Sequence, residues 1–274
     1  MTVSIGGATV SGGVTIGDAV SFVTSGLSYY LDTTQFTGTN PTNITNIPAG
    51  STWTLNNFTV GTGASTTTLQ SNCNATGAGT SNITVTRDAS FETGSMTFQI
   101  WYNLEGVPLD VGVNNNWRSL LGTPGGTAGS PLSSVQEESY IINFSTTHTD
   151  MYRRFLNGNF APVTKASTGW QLVTYTYDMA TGQAAAYLNS TLQLSGPMTS
   201  DGIGSNPTTA GTALSYTNYQ SSGFRIYGGT NTGADPNGEG VLPGEVGNIL
   251  FYNRALSAAE VLQNYNGLKA RYGL

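Results

Sequence analysis

The sequence contains one cysteine, one histidine and nine lysines and arginines among 274 residues, and each scarcity excludes a class of function. A lone Cys73 cannot form an internal disulfide, so the fold must hold by packing and hydrogen bonding. His148 is the only imidazole. The usual His/Cys zinc sites are therefore ruled out, and any Ser/His/Asp triad would have to run through that one residue. No serine stands in a nucleophile-elbow motif, and phosphate-loop and dinucleotide fingerprints are missing despite 36 glycines. Nine basic residues against fifteen acidic ones leave a net charge of −6, which argues against a phosphate-backbone partner. No apolar run approaches the ~20 residues of a membrane-spanning helix. Met1 to Gly7 lacks the basic start and apolar stretch of a secretory signal. We expect no nucleic-acid partner, no membrane insertion and no export signal.

What remains is rich in glycine, threonine, serine and asparagine, with only 9% charged residues. That is the composition of strands and turns, and a sandwich of about 200 to 250 residues commonly forms one domain. The cleanest period of two lies at Met96 to Leu104. Met96, Phe98, Ile100, Tyr102 and Leu104 share the core face, while Thr97, Gln99, Trp101 and Asn103 share the other. Near the end, Val246 to Asn253 is apolar on both faces, with Ile249 and Phe251 on one and Val246, Leu250 and Tyr252 on the other. This pattern predicts a central strand. Ser257 and Glu260 then form a capping box, followed by Ala258, Val261, Leu262 and Tyr265 at helical spacing, with Gly267 as the stop.

Gly244 to Leu274, a strand followed by Tyr-Asn-Arg-Ala-Leu-Ser, a capped helix and a short basic tail, resembles the C-terminal signature of laminin-G-like jelly rolls of the concanavalin A-like superfamily. Gly169 to Leu192 is similar to the same family's Trp strand, Thr-Tyr-Asp turn and return strand, with Ser190 in place of the usual glycine. Gly26 to Asp32 resembles the opening strand. The resemblance covers roughly Gly26 to Leu274. It implies an antiparallel two-sheet jelly-roll sandwich, all-β, with one short C-terminal helix.

Between these landmarks, Thr33 to Gly50 reads as a polar loop whose Pro41 and Pro48 argue against a central strand. Trp53 to Val60 reads as one strand, and Thr67 to Gln70 and Asn82 to Arg87 as short strands around a turn that carries Cys73. A short strand is expected at Arg118 to Leu121. Paired strands at Tyr140 to Phe144 and Tyr152 to Leu156 would be joined through Ser145 to Asp150. Trp170 to Tyr177 and Gln183 to Leu188 form a hairpin that Thr191 to Leu194 extends, and Phe224 to Tyr227 adds a strand. Met198 to Gly211 and Gly228 to Pro243 are long polar loops.

The first residues repeat GGATVS and GGVTIG, a Gly-rich stretch with β-branched residues that favours extended backbone and cannot build a core. We assign residues 1–24 to an N-terminal arm and 25–274 to the sandwich. The arm is either a flexible leader or a strand donor to a partner, with Ile5, Val10, Val14 and Ile16 as its contact residues.

The sandwich architecture also hosts glucanases, whose two carboxylates stand about 5 Å apart. Their Glu-x-Asp-x-Glu strand is missing here. Glu137 and Glu138 are adjacent, and adjacent strand residues face opposite sides, so no catalytic residue is assigned. The resemblance implies calcium at the sandwich edge, for which Asp201, Asn206, Asp235, Asn237 and Glu239 have the right oxygen chemistry. The same residue types also hydrogen-bond their own turns, and the acidic residue that related sequences often carry early in the final strand is Gly247 here. Trp117, Tyr152, Tyr216 and Tyr219 lie in or beside loops where an aromatic ring could stack on a sugar, although rings in a β protein mostly serve packing. Arg153, beside Tyr152, could grip an acidic glycan.

The compact ending and Gly-rich leader also resemble structural proteins of bacteriophage particles. That resemblance implies a non-enzymatic virion surface protein, of decoration or fibre type, assembled in the host cytoplasm. Its arm would hold other virion proteins, its sandwich would meet host-surface glycans, and it could be a homo-oligomer. The alternatives are a secreted carbohydrate-binding module or adhesin, and a degenerate glycosidase.

Overall fold

In the computed structural model the described residues are 3–5, 8–10, 22–36, 43–46, 51–61, 66–71, 81–85, 95–103, 118–122, 141–144, 148–153, 158–164, 169–197, 224–226 and 244–274. In chain order the strands are β1 (Val3–Ile5), β2 (Ala8–Val10), β3 (Leu27–Leu31), β4 (Asn43–Asn46), β5 (Ser51–Asn56), β6 (Phe58–Gly61), β7 (Thr68–Ser71), β8 (Asn82–Val85) and β9 (Met96–Asn103). They continue as β10 (Arg118–Gly122), β11 (Ile141–Phe144), β12 (His148–Arg153), β13 (Gly158–Thr164), β14 (Trp170–Asp178), β15 (Gln183–Leu188), β16 (Thr191–Pro197), β17 (Phe224–Ile226) and β18 (Glu245–Tyr252). Helix α1 (Ala258–Leu268) follows.

Every described pairing is antiparallel. The first sheet runs β16-β15-β14-β9-β18-β7-β6. One edge of β18 is bonded to β9; the other is shared, with β7 beside Glu245 and Val246 and β3 beside the half from Ile249 to Tyr252. The second sheet runs β13-β12-β11-β10-β17-β8-β5-β4. Met96, Phe98, Ile100 and Tyr102 of β9 enter the cluster between the sheets, together with Val173 and Tyr175 of β14, Ile249 and Phe251 of β18, and Leu55 and Ile83 from the second sheet. The sequence pattern therefore places the core of β9 correctly, and the molecule is an antiparallel β-sandwich with one short helix.

Several sequence expectations change. The stretch read as a single strand from Trp53 to Val60 is broken at Asn57, whose φ is 55°. The break sends β5 into the second sheet and β6 into the first, a corner of the kind that lets a strand switch layers. Between its two prolines, the expected polar loop contains β4, which is an edge strand and so keeps to the rule that proline avoids sheet centres. His148 and Asp150 lie on β12, not in the connection before it, and the edge strand β13, containing Pro162, was not expected at all. Gly267 lies inside α1, and the stop is Gly273, whose φ of 74° follows a final 3₁₀ turn at Lys269–Tyr272.

Val246 shares the core cluster with Ile249, contrary to simple alternation. The reason is a bulge: Val246 faces Tyr102 and Ile249 faces Ile100, so Gly247 and Asn248 together oppose the single residue Trp101. One extra residue restores Val246 to the interior.

Candidate functional site

The outer faces of the two sheets are treated differently. On the first sheet, the residues of β9 that point away from the core are buried a second time. Trp101, Trp170, Leu172, Tyr187, Leu250 and Tyr252 pack beneath Leu256, Val261, Leu268 and Tyr272 from the C-terminal segment, with Val23 beside them. The Tyr272 ring stacks on Trp101 at 4.3 Å and lies 4.6 Å from the Trp170 ring.

Helix α1 starts where its sequence says it should. Ser257 accepts from the Glu260 amide, and the Glu260 carboxylate accepts from the Ser257 amide at 2.9 Å. The Arg254 guanidinium also grips both Glu260 oxygens, at 2.6 and 3.0 Å. First these hydrogen bonds, then the cap amide, pull the Glu260 carboxyl down to about 2 from its ordinary 4.5. Thr97 fixes the turn before the helix by donating to the Arg254 carbonyl and accepting from the Leu256 amide, each at 2.8 Å.

A polar residue in the middle of the buried helical stripe explains how the helix finds its place. Asn264 is fully buried. Its Oδ1 accepts from the Val23 amide at 2.7 Å, and its Nδ2 donates to Gln99 at 2.6 Å and to the Tyr252 hydroxyl at 2.9 Å. Tyr252 in turn donates to the Val23 carbonyl at 2.8 Å, and Gln99 donates to Thr174 at 2.9 Å. Phe22 and Val23, assigned to the arm by sequence, are thus docked on the body, with the Phe22 ring 5.0 Å from that of Tyr30.

At the bulge, a Cβ on Gly247 would overlap the ring and hydroxyl of Tyr272. Tyr272 accepts from the Asn248 amide at 2.7 Å and donates to the Asn248 Oδ1. Asn248 Nδ2 donates to the Tyr30 hydroxyl at 3.1 Å and to Asp32 at 3.3 Å, and Arg271 closes the network on Asp32 at 3.1 Å. Burial alone would raise the Asp32 carboxyl. Hydrogen bonds from Thr34 and the Arg271 charge outweigh it and hold the group below its usual range. Position 247 is filled by an aromatic ring from the chain itself and offers no room for an acidic metal ligand.

The second sheet is organised by two neighbouring register lines. Leu55, Ile83, Ile226, Leu121, Ile142, Met151 and Phe160 are paired in succession across seven strands. All seven are apolar, and Leu55 and Ile83 belong to the core cluster, so this line lies on the inner face. The adjacent line crosses all eight strands: Asn43, Thr54, Thr84, Arg225, Gly122, Ile141, Tyr152 and Asn159. Directly paired residues share a face and successive residues alternate. This second line therefore belongs to the outer face, where hydroxyl and amide residues dominate and Arg225 is the one charge on the line. Tyr152 is on it, whereas Arg153 falls in the alternate register at the end of β12, opposite Gly158.

Of the other sequence-predicted site residues, Ile5 and Val10 lie on the hairpin of β1 and β2, where Val3 pairs with Val10 and Ile5 with Ala8. Val14, Ile16, Trp117, Tyr216 and Tyr219 lie outside the described residues, as do the calcium candidates Asp201, Asn206, Asp235, Asn237 and Glu239 and the adjacent pair Glu137 and Glu138. Among carboxylates whose side chains are described, Asp32 is engaged by Arg271 and Glu260 by Arg254. Asp178 caps its own turn through Thr181 at 2.8 Å, and Glu245 is buried beside Gly61 and Thr68. Sequence reasoning missed Arg225, Gly122 and Thr84. The sole signal was a charge between two large apolar residues, Phe224-Arg225-Ile226, and three residues are too few to set a period.

No protein-family model matches the sequence, and no curated protein matches it. Solved structures do. Trypanosoma rangeli sialidase in complex with the inhibitor DANA aligns over 91% of this chain and 34% of its own, at 14% identity with a TM-score of 0.54. The binding domain of botulinum neurotoxin serotype D/C aligns over 89% of this chain and 52% of its own, at 11% identity and a TM-score of 0.56. Botulinum neurotoxin type C, whose cell entry is dependent upon interaction with two ganglioside molecules, aligns at 9% identity and a TM-score of 0.55, over 89% of this chain and 51% of its own. The chain thus spans about a third of the sialidase and about half of the toxin chains. At these identities the likeness is one of fold.

Proposed function

We propose that this chain is a non-enzymatic, glycan-binding β-sandwich displayed on the surface of a bacteriophage particle. The observation that carries the glycan-binding part is the contrast between the two outer faces. One is covered by the chain's own helix, while the other bears a register line on which Asn43, Thr54, Thr84 and Asn159 share the face with Arg225, Gly122, Ile141 and Tyr152. Sugars are bound by such donors and acceptors together with an aromatic face. The neighbours in fold lend support: the sialidase has been solved with sialic acid, and the toxin depends on gangliosides.

The virion part rests on the Gly-rich arm. A hairpin of two three-residue strands is marginal alone in water and gains most from a strand partner. Removing Met1 to Gly17 should leave a folded sandwich that no longer joins particles, and unchanged incorporation would overturn the anchoring role. For the glycan-binding part, titration of the full chain against a panel of soluble oligosaccharides should find binding without turnover. Hydrolysis of any member of the panel would overturn the non-enzymatic reading, and failure to bind any of them would overturn the glycan reading.

A further inference from the structure

The outer line of the second sheet also says what kind of sugar would bind, an inference that rests on the glycan-binding reading above. Arg225 sits at the middle of the line, in a chain whose acidic residues outnumber its basic ones by fifteen to nine. Its paired residue on β10 is Gly122. Gly122 closes β10, and a glycine in a sheet adds no side chain to the packing and leaves the backbone open to close approach by another molecule. On the opposite side Arg225 is paired with Thr84, and Thr84 with Thr54. On the register line Arg225 therefore has a glycine on the neighbouring strand to one side and two threonines on the next two strands to the other. Tyr152 is three strands beyond Arg225 on the same line, ~14 Å away at the usual strand spacing. The acidic residue nearest to Tyr152 on its own strand and face is Asp150, paired with Asn143, and it stands at the Tyr152 end.

We infer that this face binds oligosaccharides that carry a carboxylate, with the acidic sugar seated over Gly122 against Arg225 and the neighbouring sugars running across the strands toward Tyr152. A planar guanidinium matches a carboxylate through two parallel hydrogen bonds, a fit that lysine cannot reproduce. Two sources share this chemistry, sialylated glycans and uronic-acid polymers.

The test is calorimetric titration of the full chain with sialyllactose, lactose and an oligogalacturonate. At least one acidic ligand should bind roughly tenfold or more tighter than lactose, the scale of a charge-assisted hydrogen-bonded pair. Arg225→Gln should remove that preference without moving the unfolding midpoint, Arg225→Lys should recover only part of it, and Gly122→Val should weaken acidic ligands by obstructing close approach to the backbone. The sugar that gains the preference identifies the source. If the wild type binds lactose as tightly as both acidic ligands, or if Arg225→Gln keeps the preference, the carboxylate inference is wrong while glycan binding stands. If none of the three binds and a wider panel of neutral glycans also fails, both are wrong.

Discussion

The two sheets place similar apolar lines on their inner faces but part company on their outer ones. The first sheet carries Trp101, Trp170, Leu250 and Tyr252 outward and needs the C-terminal segment to cover them. The second carries threonine, asparagine and a single arginine on its central outer line. An antiparallel sheet can leave one face to water provided that face is polar, so the sequence of each outer line states whether a cover is required. Among the described residues the covered outer face is thus that of the first sheet, and the recognition proposed above is assigned to the second.

The hardest way to break that division is Tyr272→Ala. Tyr272 is 4% exposed, packs on two tryptophans and satisfies the Asn248 bulge, so its loss should cost about 3–5 kcal/mol by the scale of large aromatic truncations. Urea unfolding measures this, and the glycan binding proposed for the second sheet should be unchanged wherever the protein remains folded. Asn264→Leu is next. It preserves an apolar helical stripe but strips partners from Val23, Gln99 and Tyr252, and should cost about 2–3 kcal/mol. A loss below about 0.5 kcal/mol would mean that the helix docks by apolar contact alone.

A milder probe is pH. Because Glu260 is held at about 2, below its ordinary 4.5, its contribution is present above the ordinary value and fades as pH falls from there toward 2. The pair with Arg254 is partly exposed, so the contribution is about 1 kcal/mol or less. Glu260→Gln should lower stability by that amount at neutral pH and flatten this part of the acid limb. A variant with the same acid slope as the wild type would remove the pair from the account. The smallest effect has the opposite sign. Asn189 and Ser190 form a two-residue hairpin turn with φ of 47° and 67°, a conformation glycine adopts without penalty. Ser190→Gly should therefore raise stability by up to ~1 kcal/mol in thermal unfolding.

These elements differ in how openly the sequence declares them. The Ser257 and Glu260 cap and the alternation of β9 rest on local spacing, and both are where the sequence puts them. The face of Val246 was misread because a bulge is a two-chain event, visible only when Trp101 is seen opposite Gly247 and Asn248. The corner at Asn57 is similar: an asparagine can adopt positive φ, but nothing local says that the next strand joins another layer. The site was less legible than the fold. Tyr152 could be named as a stacking candidate, yet the line joining it to Arg225 draws one residue from each of eight strands. Long-range pairing, not local pattern, creates that line.

Asn264 ties together two pieces of chain that are 241 positions apart, the Val23 amide and its own helix. Anything grafted ahead of Phe22 or behind Tyr272 therefore starts from the helix-bearing side of the sandwich. A fluorophore, tag or carrier attached at either place would be joined to the face that the first sheet already closes off.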